Sequence, residues 1–411
     1  MRALSPLLAL AVVLILGVAW RPKSGGPPVY GIEAIVDAST RIPGSVESFT
    51  GFGDFPAVDG DAIWFTGRGK SADLKGVYAW GQKELTVAAD ARTVVPGTAR
   101  TFASFGEPAA ADGVLVFRGE GIGSARDVRV YSYIGGKVRT LSEKTIAVCR
   151  FKGGALEAVA TDETAIPEGK GSFRDFEALL GADSHGFVVA GYGAYGQRGI
   201  YATREGHLVR VADLKTPIPG GRGTFSGFGR GPRINGTEVV FTGYGRDGQT
   251  GVYRFDGASI SVVADTNTMV ASGRGRFGAF AGVTADDGHV TWIGRTEAGD
   301  SSLCLMSGNS LEVVADSGGH PPGRRARFDS FEQVALDGSD VAFTARGAWG
   351  QGLYVRLGGV MGKVVETGDE IAGRKVRDIR LGPAGLSRAV VAFTVVFDDG
   401  GMAVCRGQPV G

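Results

Sequence analysis

The 411-residue chain has only three cysteines and four histidines, and its 44 basic residues are matched by 43 acidic ones. Three thiols make no even disulfide framework. The scattered histidines (His185, His207, His289 and His320) form no metal-ligand spacing, and no Gly-x-Ser-x-Gly elbow, His-Glu-x-x-His helix or Cys-x-x-Cys pair occurs. The near-zero net charge argues against a nucleic-acid or membrane-surface protein, which needs a basic excess. Beyond the N-terminus there is no apolar run of spanning length. Helical periodicity is missing as well.

The one apolar run, Leu7 to Trp20, is shorter than a spanning helix and follows an early Arg2. With Gly17-Val18-Ala19 offering small residues for cleavage, residues 1–20 read as a signal peptide and 21–29 as a short linker. An uncleaved signal anchor is the alternative. No cysteine stands near the site for a lipid anchor, and the C-terminus carries no anchoring signal. The expected location is secreted, periplasmic or at the cell surface, without stable membrane insertion after cleavage.

What the chain has in abundance is glycine, 69 residues at recurring turn positions. A unit of about fifty residues starts at Ile42, Val95, Ile166, Ile218, Val270 and Pro321. Each unit carries a Phe-x-x-Phe pair, as in Phe225/Phe228, then an Asp-Gly or Asn-Gly turn, an apolar strand such as Val239–Phe241, a Gly-Val-Tyr strand and a closing Val-Ala-Asp strand. Asx-Gly supplies the positive φ of a tight hairpin; Asn235-Gly-Thr237 also fits a glycosylation sequon, but the turn reading accounts for it. Four antiparallel strands at this period imply propeller blades. Their aromatics are material for packing between blades.

After the sixth unit only three strands remain, and the missing one stands at the other end. Ile32-Glu-Ala-Ile-Val-Asp37 matches Leu311-Glu-Val-Val-Ala-Asp316 position for position. The expected fold is all-β, a single domain over 30–411. It is a seven-bladed propeller with blades at about 42–93, 95–165, 166–216, 218–268, 269–319 and 321–371, the last combining 372–406 with 30–40. Six or eight blades would need a misread unit. Cys149, Cys304 and Cys405 take the third-strand position that Tyr78, Tyr201, Tyr253 and Tyr354 hold elsewhere, so they belong to non-adjacent blades and should be free thiols.

Candidate sites lie on the face of the fourth-to-first and second-to-third connections. Asp37, Asp90, Asp162, Asp213, Asp265 and Asp316 close fourth strands, and Lys170, Arg222, Arg274 and Arg325 follow in the loops, three of the pairs nine residues apart. They read either as a cationic ring for anionic ligands or as repeated ion pairs and Asx turns that shape the loops. Blade 2 holds about twenty extra residues between Ser124 and Thr145. There a hairpin would present Arg129, Tyr131, Tyr133, Lys137 and Arg139, either as a grafted binding element or as a decorative insertion.

The unit Phe-x-x-Phe, Asx-Gly, Val-x-Phe, Gly-Val-Tyr, Val-Ala-Asp-x-x-Thr-x-Ile-Pro-Gly-Gly resembles secreted bacterial propeller-like repeat proteins over residues 30–406. The resemblance implies fold and export, and no activity. The functional expectation is a monomeric, non-enzymatic binding or scaffold propeller for a glycan or protein ligand, anionic in the cationic-ring reading, with no cofactor, metal or nucleic acid. The alternative is an extracellular glycan hydrolase or lyase, since carboxylates from different blades leave no motif.

Overall fold

A computed structural model describes residues 26–410 except 123–130, 135–136, 141–143, 153, 178, 184 and 271–274. The signal segment, Arg129 and Arg274 therefore lie outside the described residues.

Seven antiparallel sheets follow one another as the blades of a ring, and an eighth, two-stranded sheet belongs to the insertion. In blade 4 the order is Gly227–Phe228 and Arg233–Asn235 (together the first strand), Glu238–Tyr244, Thr250–Phe255 and Ile260–Asp265. The first strand is split because the chain from Arg230 to Pro232 bows out of the ladder between its two halves. The fourth strand of every blade carries a register shift against the third, for example between Val252 and Tyr253.

The seventh blade joins the chain ends. Tyr30–Asp37 pairs antiparallel with Met402–Pro409, from Tyr30 opposite Pro409 to Asp37 opposite Ala403. Tyr30, Ile32 and Ala34 pack into the core between blades 6 and 7, and Val36 into the core between blades 7 and 1. The circle thus closes by backbone hydrogen bonding, which leaves no open sheet edge at the seam.

Glycine and aromatic volumes exchange from blade to blade. In blade 4, Gly243 lies opposite Phe228, and a Cβ there would come within 2.4 Å of the Phe225 ring. Gly67, Gly119, Gly191 and Gly294 repeat this against Phe49, Phe102, Phe173 and Phe277. Blade 7 solves the same packing differently: Val376 and Ile379 replace the two phenylalanines, and Val395 replaces the glycine. Interiors are packed to a fixed density, so the smaller first-strand residues admit the larger partner.

Cys149, Cys304 and Cys405 sit in third strands, opposite Phe117, Trp292 and Phe393, where Tyr253 lies opposite Phe241 in blade 4. All three are free and buried. Burial pushes the Cys149 and Cys304 thiols up to about 12, and Cys405 higher still, so none is a nucleophile at neutral pH.

The sequence pattern misplaces some turns. In blades 1, 4 and 6 the Asx residue (Asp59, Asn235, Asp337) is the last paired residue and the glycine starts the turn. In blades 2 and 5 the turn pair itself is Asp112-Gly113 and Asp287-Gly288, with positive φ at both residues. The Asx-Gly pair is therefore one residue out of step between blades.

Candidate functional site

The loop face is built on a repeated Asx turn. The Asp37, Asp90, Asp213 and Asp265 carboxylates each accept the backbone N–H two residues on and the hydroxyl of the threonine three residues on, and that hydroxyl accepts the Asp N–H. In blade 2 the position belongs to Thr161, which pairs with Ala147 and makes the same turn through Thr164; Asp162 lies one residue beyond it, a correction to the sequence alignment. Blade 6 carries Glu366 there, opposite Gly352.

The expected Asp-to-basic pairs nine residues apart do not form among the described residues. Asp213 is bound by Arg210 rather than Arg222, at 3.0 Å. Lys170, Arg222 and Arg325 are exposed, and the first two donate their backbone N–H to Gln197 and Gln249. Gln197 also returns its amide to the Lys170 carbonyl, which ties the fourth-to-first loop of blade 3 to its second-to-third loop. That second loop displays Tyr195, 96% exposed and held at φ 57°. A non-glycine residue in the left-handed region costs backbone strain, which a surface aromatic without a packing partner does not repay. The equivalent turn position in blade 4 is Asp247, at φ 58°. Tyr244, in the position of Tyr192, is an exposed aromatic at the end of the second strand, and Arg198 joins the two blades by donating to the Phe228 carbonyl at 2.8 Å. Arg174 and Arg246 are exposed on the same loops and strand ends. Tyr195 was missed in the sequence because the equivalent turn position of blade 4 is Asp247, so the repeat does not mark it, and Tyr244 because its position at the end of the second strand reads as strand material.

In the blade 2 insertion, Tyr131–Ile134 and Lys137–Thr140 form a two-stranded antiparallel hairpin, with Tyr131 opposite Thr140 and Tyr133 opposite Val138.

Arg324, the neighbour of Arg325, is engaged in packing. It forms an ion pair with the buried Glu366, lies over the Trp349 ring at 5.4 Å, and Tyr354 donates its hydroxyl to the same carboxylate at 2.8 Å. Burial pushes the Glu366 carboxyl up, but the Arg324 and Tyr354 hydrogen bonds outweigh it and hold the group below the usual carboxylate range. A lowered folded value adds stability above the unfolded value near 4.3 that is lost as pH falls through the folded one. Arg324→Ala should therefore cost about 1–2 kcal/mol at neutral pH. The gap between variant and parent urea midpoints should shrink as pH falls through the lowered value of Glu366 in the parent, where the carboxyl becomes neutral in both.

At the opposite face the seven first strands surround an axial cavity of about 290 Å³. Its mouth is ringed at equivalent positions by Asp59, Ala111, Asp183, Asn235, Asp286, Asp337 and Ser387. Four of the carboxylates clasp the next blade: Asp59 accepts the N–H of Gly113, Asp183 that of Gly236, Asp286 that of Gly338 and Asp337 that of Arg388. Burial pushes Asp286 and Asp337 up, their clasping hydrogen bonds offset part of the rise, and neighbouring carboxylates add to it, including Asp112 from across the axis for Asp286. Further in, burial also raises Glu107, which accepts from the Asp54 N–H and Thr66 hydroxyl. Among the described residues no group of three His, Cys, Asp or Glu side chains is placed to hold a metal ion.

Comparison with known proteins bears on family membership. A structure from a study of two prolyl endopeptidases aligns with a TM-score of 0.49 at 12% identity, over 87% of this chain and 47% of that one. A puromycin-hydrolyzing peptidase of Mycobacterium tuberculosis gives 0.47 at 14% identity, over 93% and 54%. A polysaccharide lyase gives 0.46 at 8% identity, over 96% and 94%. The chain spans about half the length of the first two, and likeness at this level bears on neither activity nor substrate. No curated protein matches. One family model matches residues 18–244 and, again in a shifted and overlapping register, 142–394, as a repeated unit does. The chain belongs to the family of unknown function DUF7453.

Proposed function

We propose that the protein is an exported, monomeric binding propeller that presents the loop face of blades 3 and 4 to an anionic glycan and carries out no catalysis. The observation that carries this reading is Tyr195, almost fully exposed in a strained conformation on a loop tied to Lys170. An aromatic ring packs against the C–H face of a sugar, and the cations Lys170, Arg174, Arg222 and Arg246 suit its carboxylate or sulfate groups. Of the acids nearby, Glu168 is already paired with Arg210. The blade 2 hairpin, with Tyr131, Tyr133, Lys137 and Arg139, would extend the surface, and Arg325 continues the cationic loops around the ring; Arg129 and Arg274, expected from the sequence on the same hairpin and loops, lie outside the described residues.

The competing reading is a glycan hydrolase or lyase working in the axial cavity, which Glu107 favours as a buried carboxyl with a raised pKa. Residues 28–411 tested against sulfated and uronate-containing polysaccharides separate the two. The binding reading expects affinity that falls with salt, drops about tenfold or more in Tyr195→Ala and in the Lys170→Glu/Arg222→Glu pair, and proceeds without product formation. Chain cleavage abolished by Glu107→Gln would replace it with the enzyme.

A further inference from the structure

The axial cavity lies at the face opposite those loops and holds one charge that the fold leaves unanswered. Two residues inside the rim the blades carry Ala57, Ala109, Gly181, Thr284, Ala335 and, in blade 4 alone, an arginine, Arg233. Arg233 lines the cavity and is only 9% exposed. Its Nη1 donates to the Leu180 carbonyl at 2.7 Å and the Pro232 carbonyl at 3.0 Å, but its Nε is buried without a partner. Among the described residues no carboxylate forms an ion pair with it. An enclosed guanidinium with carbonyl partners alone is an unfavourable arrangement, and one that a bound anion relieves. Burial correspondingly pushes its pKa down to about 10.

The way in is negative. Asp59, Asp286 and Asp337 each commit one oxygen to the neighbouring blade, leaving the other unclaimed by that clasp. A simple anion would be repelled at this mouth, and a simple cation would leave Arg233 unanswered. We propose that the cavity binds a small zwitterion, its carboxylate paired with Arg233 and its ammonium group among the rim carboxylates. A volume of about 290 Å³ is at the lower end for ligand pockets and suits a molecule of amino-acid, dipeptide or amino-sugar-acid size. Small residues at the other equivalent positions keep that space open beside the guanidinium.

The test is calorimetric titration of residues 28–411 with free amino acids, dipeptides and amino sugar acids, each beside its N-acetyl and C-amide derivative. At least one zwitterion is expected to bind, with both derivatives at least about tenfold weaker, because each lacks one charge. Arg233→Gln should lose binding by a similar factor while Arg233→Lys retains part of it. The isosteric Asp286→Asn/Asp337→Asn pair, which still accepts the clasping N–H groups, should weaken the zwitterion while its N-acetyl derivative binds no more weakly than before, since an anion loses two repelling charges and no partner. Should Arg233→Gln fail to fold, the asparagine pair carries the test by itself. Binding of none of the three zwitterion classes to the folded protein, equal binding of the blocked derivatives, or undiminished binding by Arg233→Gln would overturn the site and make Arg233 a tie between blades 3 and 4. None of these results touches the loop-face reading, which rests on other residues and polysaccharide probes.

Discussion

Removing residues 28–40 is expected to open the ring, with a loss of at least about 5 kcal/mol and a broadened, less cooperative unfolding transition. The loss comes from three apolar side chains and the backbone pairing of the strand together. Val36 is 1% exposed in the core between blades 7 and 1, where full burial stabilises by about 1.5–3 kcal/mol, and the partly buried Tyr30 and Ile32 between blades 6 and 7 each add a fraction of that. The backbone hydrogen bonds to Met402–Pro409 lost with them add about 0.5–1.5 kcal/mol each. The Tyr30 hydroxyl donates to the Ala389 carbonyl at 2.7 Å, and its removal leaves that turn carbonyl without its partner. The strand Met402–Pro409 would become an unprotected edge, so the trimmed protein should also self-associate. Differential scanning calorimetry and sedimentation velocity read both effects, and a peptide of residues 28–40 added in trans should restore part of the lost stability. A trimmed protein that melts like the parent would mean that the terminal strand does not hold the circle shut.

Phe225→Ala should cost about 3–5 kcal/mol, the range for deleting a fully buried aromatic. Phe225 is 2% exposed and stands edge-on to Tyr253 at 5.0 Å and 85°. It also contacts Phe228 at 5.3 Å and Phe241 at 5.8 Å, and lies over the bare backbone of Gly243. No neighbour is placed to fill the void, because the glycine has no side chain to move. The same change at Phe105, which is only partly buried, should cost distinctly less. Urea denaturation of both variants measures the difference; a cost below about 1 kcal/mol at Phe225 would show that the blade interior collapses freely around the gap.

Much of this architecture could be read in advance because a blade is a local object. The Phe-x-x-Phe pair, the Asx-Gly turn and the alternating apolar strands each report contacts within some fifty residues, and the repetition checks one unit against another. The match between Ile32–Asp37 and Leu311–Asp316 made even the longest-range pairing visible, since a strand that resembles fourth strands must find a sheet lacking one. Repetition misled where it was assumed to be in step. Thr161 rather than Asp162 forms the blade 2 turn, and the hairpin turns shift by a residue between blades 1 and 2. In both cases only the strand register decides which residue comes last in the ladder.

The sites were less legible, for a physical reason. Arg222 and Arg325 stand out in the repeated loops, yet the arginines that meet the turn carboxylates there include Arg92, Arg210 and Arg324, at positions outside the nine-residue spacing. The axial cavity draws short runs of residues from all seven blades, so its lining is spread over more than three hundred positions of sequence. Composition and period by themselves determined the sheet content, the repeat, the ring and its terminal seam, because those follow from hydrophobic alternation and turn chemistry within each unit. Only the tertiary structure decided that Arg233 sits in a cavity without a counter-ion and that Tyr195 stands clear of the surface. Burial and isolation are properties of what surrounds a residue, and in a closed ring those surroundings come from segments far apart in the chain.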